Sequence, residues 1–300
     1  MAEQKNHPLL FEMLRSFTTL AETLNLSRAV EQMGTTRQTV RRHISTLEQI
    51  KGERLFIVDD RQYHLTEAGR HALQEAQDIQ ARGLSWLNNE AGHRGGLHHI
   101  VKRDGSGWFF YLQQHSLQKI WTGQSELLKA GVKCWADAEG EITHEAFDLV
   151  RPYLMVFRRA SVGWVCSAVG GQSSYATWYG KRWEYSAVGR EVPRLPGGQE
   201  HASQLHQPFE EVRASRGMRY DHIHTRMDRG IEGQTEPISF KRLLLGCRYP
   251  DDSFALASLV VRSHDLEIGG VSQAEIETMP DDLLMDEISP KPSGGQDNSP

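Results

Sequence analysis

Residues 26–52 read LSRAVEQMGTTRQTVRRHISTLEQIKG, and two helical patterns meet there at a glycine. In the first pattern Ala29, Val30 and Met33 share a face, with Ser27 placed to cap the helix. Gly34 supplies a tight turn, and Thr35 or Thr36 caps the second pattern, in which Val40, Ile44 and Leu47 form an apolar stripe. A short helix, a glycine-containing turn and a longer helix make the helix-turn-helix order. Upstream, Phe11, Leu14, Phe17, Ala21 and Leu24 predict an amphipathic helix over Leu9 to Thr23, with Asn25 ending it or lying in the turn. Downstream, Arg54 to Val58 and Tyr63 to Thr66 read as two short strands around a polar turn, the layout of a wing.

The longer helix carries a distinctive outer face. Thr36, Arg37, Gln38, Arg41, Arg42 and Ser45 all lie off the apolar stripe. A guanidinium donates two hydrogen bonds to a guanine edge or neutralises phosphate, and a glutamine amide pairs with adenine. The first turns of such a helix are the part that enters a major groove. Arg61 sits at the expected wing tip, within reach of phosphate or a minor groove. The bland alternative for these residues is a solvated charged surface.

The segments LRSFTTLAETLNLSRAVEQMGTTRQTVRRHISTLEQIKGERLF (14–56) and RQYHLTEAG (61–69) resemble the LysR-type transcription regulators. SRAVEQMG, Leu47-Glu48, Leu55-Phe56 and Leu65-Thr66-Glu67-Ala68-Gly69 carry that resemblance, which covers residues 9–90. It implies double-stranded DNA as partner, contacted by Thr36, Arg37, Gln38, Arg41 and Arg42 and by Arg61 of the wing. The chain departs from the family where Thr36-Arg37-Gln38-Thr39 replaces the usual Ser-Gln-Pro-Ala, where Arg41 replaces a serine, and where Val58 replaces an arginine. An operator sequence therefore does not transfer from relatives.

The expected organisation is α+β. Residues 1–66 form the winged helix-turn-helix, 67–90 a linker helix, 91–107 a flexible Gly- and His-rich linker, 108–268 a sensor or interaction domain, and 269–300 a disordered acidic tail. In the linker helix Ala72, Ala76, Ile79, Gly83 and Trp86 alternate four and three apart, a heptad seam that predicts a homodimer. The resemblance agrees, because LysR-type proteins are similar in dimerising through this helix. The third part lacks the repeated strand–helix alternation of the family's usual effector domain. It reads as a helix through Leu117, Ile120 and Trp121 and a helix pattern from Thr143 to Tyr153. Strands follow at Leu154–Arg158 and Trp164–Val169, then a helix over 203–215. Three more strands cover Arg219–Met227, Ile238–Tyr249 and Phe254–Ser263. That order resembles a PAS domain, an antiparallel sheet with flanking helices, which implies sensing of a small ligand, haem or flavin binding, or protein contact.

No catalytic motif stands out: GxSxG, P-loop and HExxH patterns are absent, so the reading is a regulator and not an enzyme. Trp164, Tyr175, Trp178 and Trp183 fit an apolar ligand cavity or ordinary core. His222 and His224 alternate on one strand face, where they fit a metal, a haem iron or a polar surface. No metal or cofactor is called for. The formal charge of −5 over 300 residues excludes a nonspecific nucleic-acid coat but leaves room for one basic face. Three scattered cysteines without a CxxC argue for a reducing compartment. No run approaches the ~18 apolar residues of a membrane helix, and the N-terminus lacks a signal-peptide layout, so the expected location is the cytoplasm. RNA polymerase or another regulator would be further partners. Two other readings are a regulator whose wing binds protein, and a molybdate-type regulator, which would need an internal duplication that the sequence lacks.

Overall fold

The computed structural model describes residues 8–60, 62–88, 90–160, 163–228 and 235–285. The chain divides into two compact units, one ending at Glu90 and one beginning at Ala91.

The N-terminal unit contains α1 (Leu10–Thr23), α2 (Leu26–Met33), α3 (Arg37–Lys51), β1 (Phe56–Asp59), β2 (Gln62–Leu65) and α4 (Glu67–Leu87). Leu14, Phe17 and Leu20 of α1 meet Ala29, Val40, Ile44, Leu47, Leu55 and Phe56 in one core. Asn25, not Ser27, caps α2: its Oδ1 accepts from the N–H groups of Ser27 and Arg28 at 2.9 and 3.2 Å. The helix starts one residue before Ser27, so the serine is already inside it. Gly34 ends α2 at φ 62°, a conformation open to glycine at little cost. Thr36 caps α3 by accepting from Thr39 N–H.

The helix α4 runs beside α1. Thr18 donates to Gln80, and Gln77 donates to Glu22. Ala72 and Ala76 are buried in the unit's own core. A Cβ added to Gly83 would lie 2.6 Å from the Phe11 ring. The five expected seam residues therefore do not share one surface. The small ones, Ala72, Ala76 and Gly83, serve the close approach of α1, while Ile79 and Trp86 stand 40% and 71% exposed. The sequence pattern could not distinguish a partner in the same chain from one in another.

In the C-terminal unit, eight strands lie in the order β3-β4-β5-β8-β9-β10-β6-β7. They are β3 (Ala91–Arg94), β4 (Leu97–Arg103), β5 (Phe109–His115), β6 (Leu154–Ala160), β7 (Gly163–Val169), β8 (Met218–Asp228), β9 (Thr235–Arg248) and β10 (Phe254–Arg262). Neighbours from β3 through β10 to β6 pair antiparallel. Helices α5 (Gln118–Thr122) and α6 (Glu126–Asp137) precede β6. Helices α7 (Ser174–Tyr179), α8 (Lys181–Ala187) and α9 (Gly198–Ser215) join β7 to β8, and α10 (Gln273–Ile276) follows β10. One sheet face buries Leu243, Leu245, Leu259 and Val156 against Leu127, Leu128 and Cys134 of α6. The other buries Leu244, Leu256 and Phe157 against Phe209 and Val212 of α9.

Three expectations change here. Residues 91–107 are not a flexible linker but the β3–β4 hairpin and the turn into β5. Gly95 and Gly96, both at positive φ, make its two-residue turn, with Arg94 opposite Leu97. Ile100, His98 and His99 are buried, so the histidines that suggested a polar loop belong to a sheet. Thr143 to Tyr153 forms two short 3-10 turns, Glu145–Phe147 and Arg151–Tyr153, with Pro152 unable to donate within a longer helix. The segment after 269 continues as structure: Ile276, Met279 and Leu283 are buried. Residues 286–300 lie outside the described residues.

Two expected outcomes follow from this packing. At Gly69 an added Cβ would sit 2.1 Å from the carbonyl oxygen of Leu55, a backbone atom that cannot swing away. Gly69→Ala should cost about 1–3 kcal/mol or more, read as a lower urea midpoint for the N-terminal unit; an unchanged midpoint would contradict the packing. In the C-terminal unit burial is the first cause that holds His98, His201 and His224 at pKa about 4 and His222 at about 2, against an ordinary 6.5. The folded state keeps these rings neutral while the unfolded chain protonates them. Stability should be fully present above pH 6.5 and fall as pH drops toward 4, by up to about 1.4 kcal/mol per pH unit per histidine. Urea titrations across that range check the sign.

Candidate functional site

The helix α3 is held by one face and offers the other. Val40, His43, Ile44, Leu47 and Glu48 are buried. Thr36, Arg37, Gln38, Arg41, Arg42 and Ser45 are all exposed, so the structure brings every helical residue of the expected reading face onto one open surface. Arg37 donates through Nη2 to the Ser27 hydroxyl at 2.8 Å, which anchors its guanidinium near α2. Arg61 lies outside the described residues. The wing strands pair from Phe56 opposite Leu65 to Asp59 opposite Gln62. Ile57 and Val58 of β1 are exposed.

Two residues that position this face were not singled out for that role. His43 and Ser16 share a buried hydrogen bond of 2.8 Å between α3 and α1. The carboxylate of Glu48 accepts from Leu55 N–H at 2.8 Å and Phe56 N–H at 3.2 Å, with Arg54 on its other oxygen at 3.1 Å. Both lie at stripe positions of a 3.6 period beside Ile44 and Leu47. A polar residue in an apolar stripe was the available signal.

The expected pocket set in the C-terminal unit is dispersed. Tyr175 and Trp178 of α7 line a cavity of about 110 Å³ between the sheet and α9, together with Leu205, Phe240, Arg242 and Val260. Trp164 is core on the same side, its ring N–H donating to Glu210 at 2.9 Å. Trp183 lies off this lining, with Arg190 over its ring and Tyr179 beside it. His222 and His224 occupy the opposite face. His222 Nε2 bonds the Tyr220 hydroxyl and its Nδ1 accepts from Glu267 N–H. His224 Nδ1 bonds Ser239 and its ring stacks near Phe109 and Tyr111. Both rings are thus committed to structural partners. Among the described residues, no group of three or more His, Cys, Asp or Glu is placed to hold a metal ion, and no helix is long and apolar enough to cross a membrane. The three cysteines are buried and unpaired, and burial raises the thiols of Cys166 and Cys247 to about 11 and 12.

Residues 11–70 match the family model described as "Bacterial regulatory helix-turn-helix protein, lysR family". The HTH-type transcriptional activator AllS of Salmonella typhimurium is 38% identical over 78 residues, which is 26% of this chain and 24% of that protein. AllS of Klebsiella pneumoniae is 35% identical over 92 residues, 31% of this chain and 33% of that protein. The matched region thus spans about a quarter to a third of the length of these relatives. Among solved structures, oxidised Corynebacterium glutamicum OxyR aligns at 25% identity and a TM-score of 0.27, covering 30% of this chain and 27% of that one. The CbnR DNA-binding domain in complex with DNA aligns at 28% identity and a TM-score of 0.25, covering 26% of this chain and 92% of that one. The N-terminal unit carries a helix-turn-helix domain of the LysR type.

Proposed function

We propose that the chain is a homodimeric, sequence-specific DNA-binding transcription regulator of the cytoplasm, with a PAS-like C-terminal unit that receives a ligand or a partner protein. One observation carries the reading: a capped, single-faced α3 exposes Arg37, Gln38, Arg41, Arg42 and Ser45 within a domain of the LysR type. Three arginines on one helix face supply both base-edge donors and phosphate contacts. Thr36 caps the helix and presents its N-terminal turn, and Arg61 extends the contact toward the wing. The departures from the family at Arg37 and Arg41 give this regulator its own operator.

The PAS-like reading of the second unit rests on strand order. Among the five strands β6 to β10, β6 and β7 come first in sequence, the α7–α9 helices cross over, and β10 returns to pair with β6. The β3–β4–β5 strands extend that sheet beyond β8. The dimer reading now rests on the exposed apolar residues Ile79, Leu84, Trp86 and Leu87 near the end of α4, not on the alanines. A large contiguous exposed apolar patch marks an interaction site, and these four residues are the large apolar side chains that α4 exposes.

Arg42→Ala should weaken binding to the cognate fragment by about 1–3 kcal/mol, measured by mobility shift at fixed salt; unchanged affinity sinks the assignment of this face. Trp86→Glu, at a 71% exposed position, should leave folding intact and shift the chain toward monomer in light scattering. A dimer that persists in that variant would place the interface elsewhere.

A further inference from the structure

Arg242 lies on β9 near the middle of the sheet and is 2% exposed. Its Nε and Nη2 donate to one oxygen of Asp221 at 3.3 and 2.8 Å. Asp221 is fully buried and also receives Arg219 Nε at 2.9 Å. One buried carboxylate thus serves two buried guanidiniums. Glu211 meets the Nη1 of Arg219, but its side chain is 42% exposed and shares its charge with water.

The third guanidinium nitrogen of Arg242 is left over. Among the described residues its Nη1 is buried with no hydrogen-bond partner, and so is the phenol oxygen of Tyr175. Both residues line the same cavity of about 110 Å³. Buried charged donors normally find an acceptor, because leaving one unpaired costs the desolvation of the group. The wall around them is largely apolar, with Trp178, Leu205, Phe240 and Val260. His201 lies in the same wall, and burial followed by the charge of Arg242 holds it at pKa about 4. It is neutral near pH 7 and supplies no counter-charge.

We infer that this cavity binds a small monocarboxylate, with the carboxylate on Arg242 Nη1 and Tyr175 Oη and a compact apolar body against Trp178 and Phe240. Two donors at an excess of buried positive charge call for one anionic acceptor group. Beyond Arg242 the wall offers only neutral groups, among them Ser174, Ser258 and His201, and no second cation, which favours a monocarboxylate over dicarboxylates and phosphate esters. A cavity of roughly 150 Å³ holds benzene, so the body here is no larger than about a single ring or a short branched chain. That this acid is the signal rests on the regulator reading above; the binding site itself does not.

The test uses the full chain with benzoate and isovalerate, against benzamide and isovaleramide as neutral matches. Binding is read by calorimetry and by the fluorescence of the cavity tryptophan. At least one acid should bind at one site per chain and raise the unfolding temperature. Its amide should bind tenfold or more weakly, since a charge-assisted bond is replaced by a neutral one. Tyr175→Phe should keep the fold and lose about tenfold in affinity for the acid. Val260→Phe should fill the cavity and abolish binding. The inference falls if neither acid binds, in which case water serves the two donors. It also falls if acid and amide bind alike, or if Val260→Phe binds the acid unchanged. Operator mobility shifts with saturating acid separate the two readings. Binding without any change in operator affinity overturns the signal role and leaves the site standing. A change in operator affinity caused by another class of compound, with neither acid binding, overturns the site and leaves the sensor standing.

Discussion

The backbone of Leu55 is the joint on which the N-terminal unit turns. Its N–H is taken by Glu48 of α3, its carbonyl accepts the N–H of Thr66, and its side chain is fully buried. The Thr66 hydroxyl donates to the neighbouring carbonyl of Arg54 at 2.6 Å and accepts from Gly69 N–H to cap α4. Gly69 then packs against the Leu55 carbonyl itself. Recognition helix, wing and linker helix are therefore fixed by one short run of peptide groups. The Leu47-Glu48, Leu55-Phe56 and Leu65–Gly69 segments, which look like separate sequence signatures, are the three sides of this joint. They set the angle of the exposed face of α3.

The C-terminal unit has a different organising centre. Arg219, Asp221 and Arg242 lie on the face of β8 and β9 that α9 covers, with Asp221 directly opposite Arg242 in register. Removing one partner from a buried ion pair costs about 3–5 kcal/mol, whereas apolar replacement of the whole pair is often neutral. A charged trio in this position is therefore a poor device for stability alone. The cavity beside it gives the charge something to do, because a buried guanidinium is oriented in advance and pays little to receive an anion. The opposite face uses its polar groups differently: His222, His224, Tyr220 and Ser239 bond one another and the chain after β10.

Much of the first unit was legible because its signals are local. Helical spacing, a glycine turn and a threonine cap fix α1 to α3 within a few residues of one another. The error over Ser27 is of that same local kind, since Asn25 and Ser27 are both good caps and only the observed φ and ψ choose between them. The α4 seam failed for a less local reason. Alanines at heptad spacing state that a helix is approached closely, but not by what. In the second unit the strands of residues 154–263 were readable from alternation, while residues 91–107 were not. Glycine lowers β propensity, and the burial of Ile100 and His99 comes with their pairing to Leu112 and Gln113 of β5, which is remote in the sequence pattern. Of the expected pocket set, Tyr175 and Trp178 line the cavity and the two histidines do not, because a histidine's face depends on strand parity relative to the neighbours. His222 pairs with Lys241, whereas Arg242, one residue on, faces the cavity. The residue that matters most there, Arg242, had no sequence signal beyond being a charge inside an apolar strand, the same kind of signal that marked Glu48.

The charge distribution fits the proposal that the chain reads DNA as a dimer. The chain carries a net −5, so its general attraction to a polyanion is weak and the arginines of α3 act locally. Weak nonspecific binding helps a regulator that must leave wrong sites, because specificity is a ratio of affinities. It also means that one winged unit, with a handful of base contacts worth about 1–3 kcal/mol each, holds a site poorly by itself. Two units on one operator add their contact energies while sharing one loss of translational freedom. In the proposed dimer, a signal received by the C-terminal unit would need to change only the relative affinity of two arrangements for the same DNA, and a shift of about 1.4 kcal/mol between them is already tenfold in occupancy. The proposed regulator would not need a strong recognition helix; it would need a rigid one, and the Leu55 joint holds α3 rigidly.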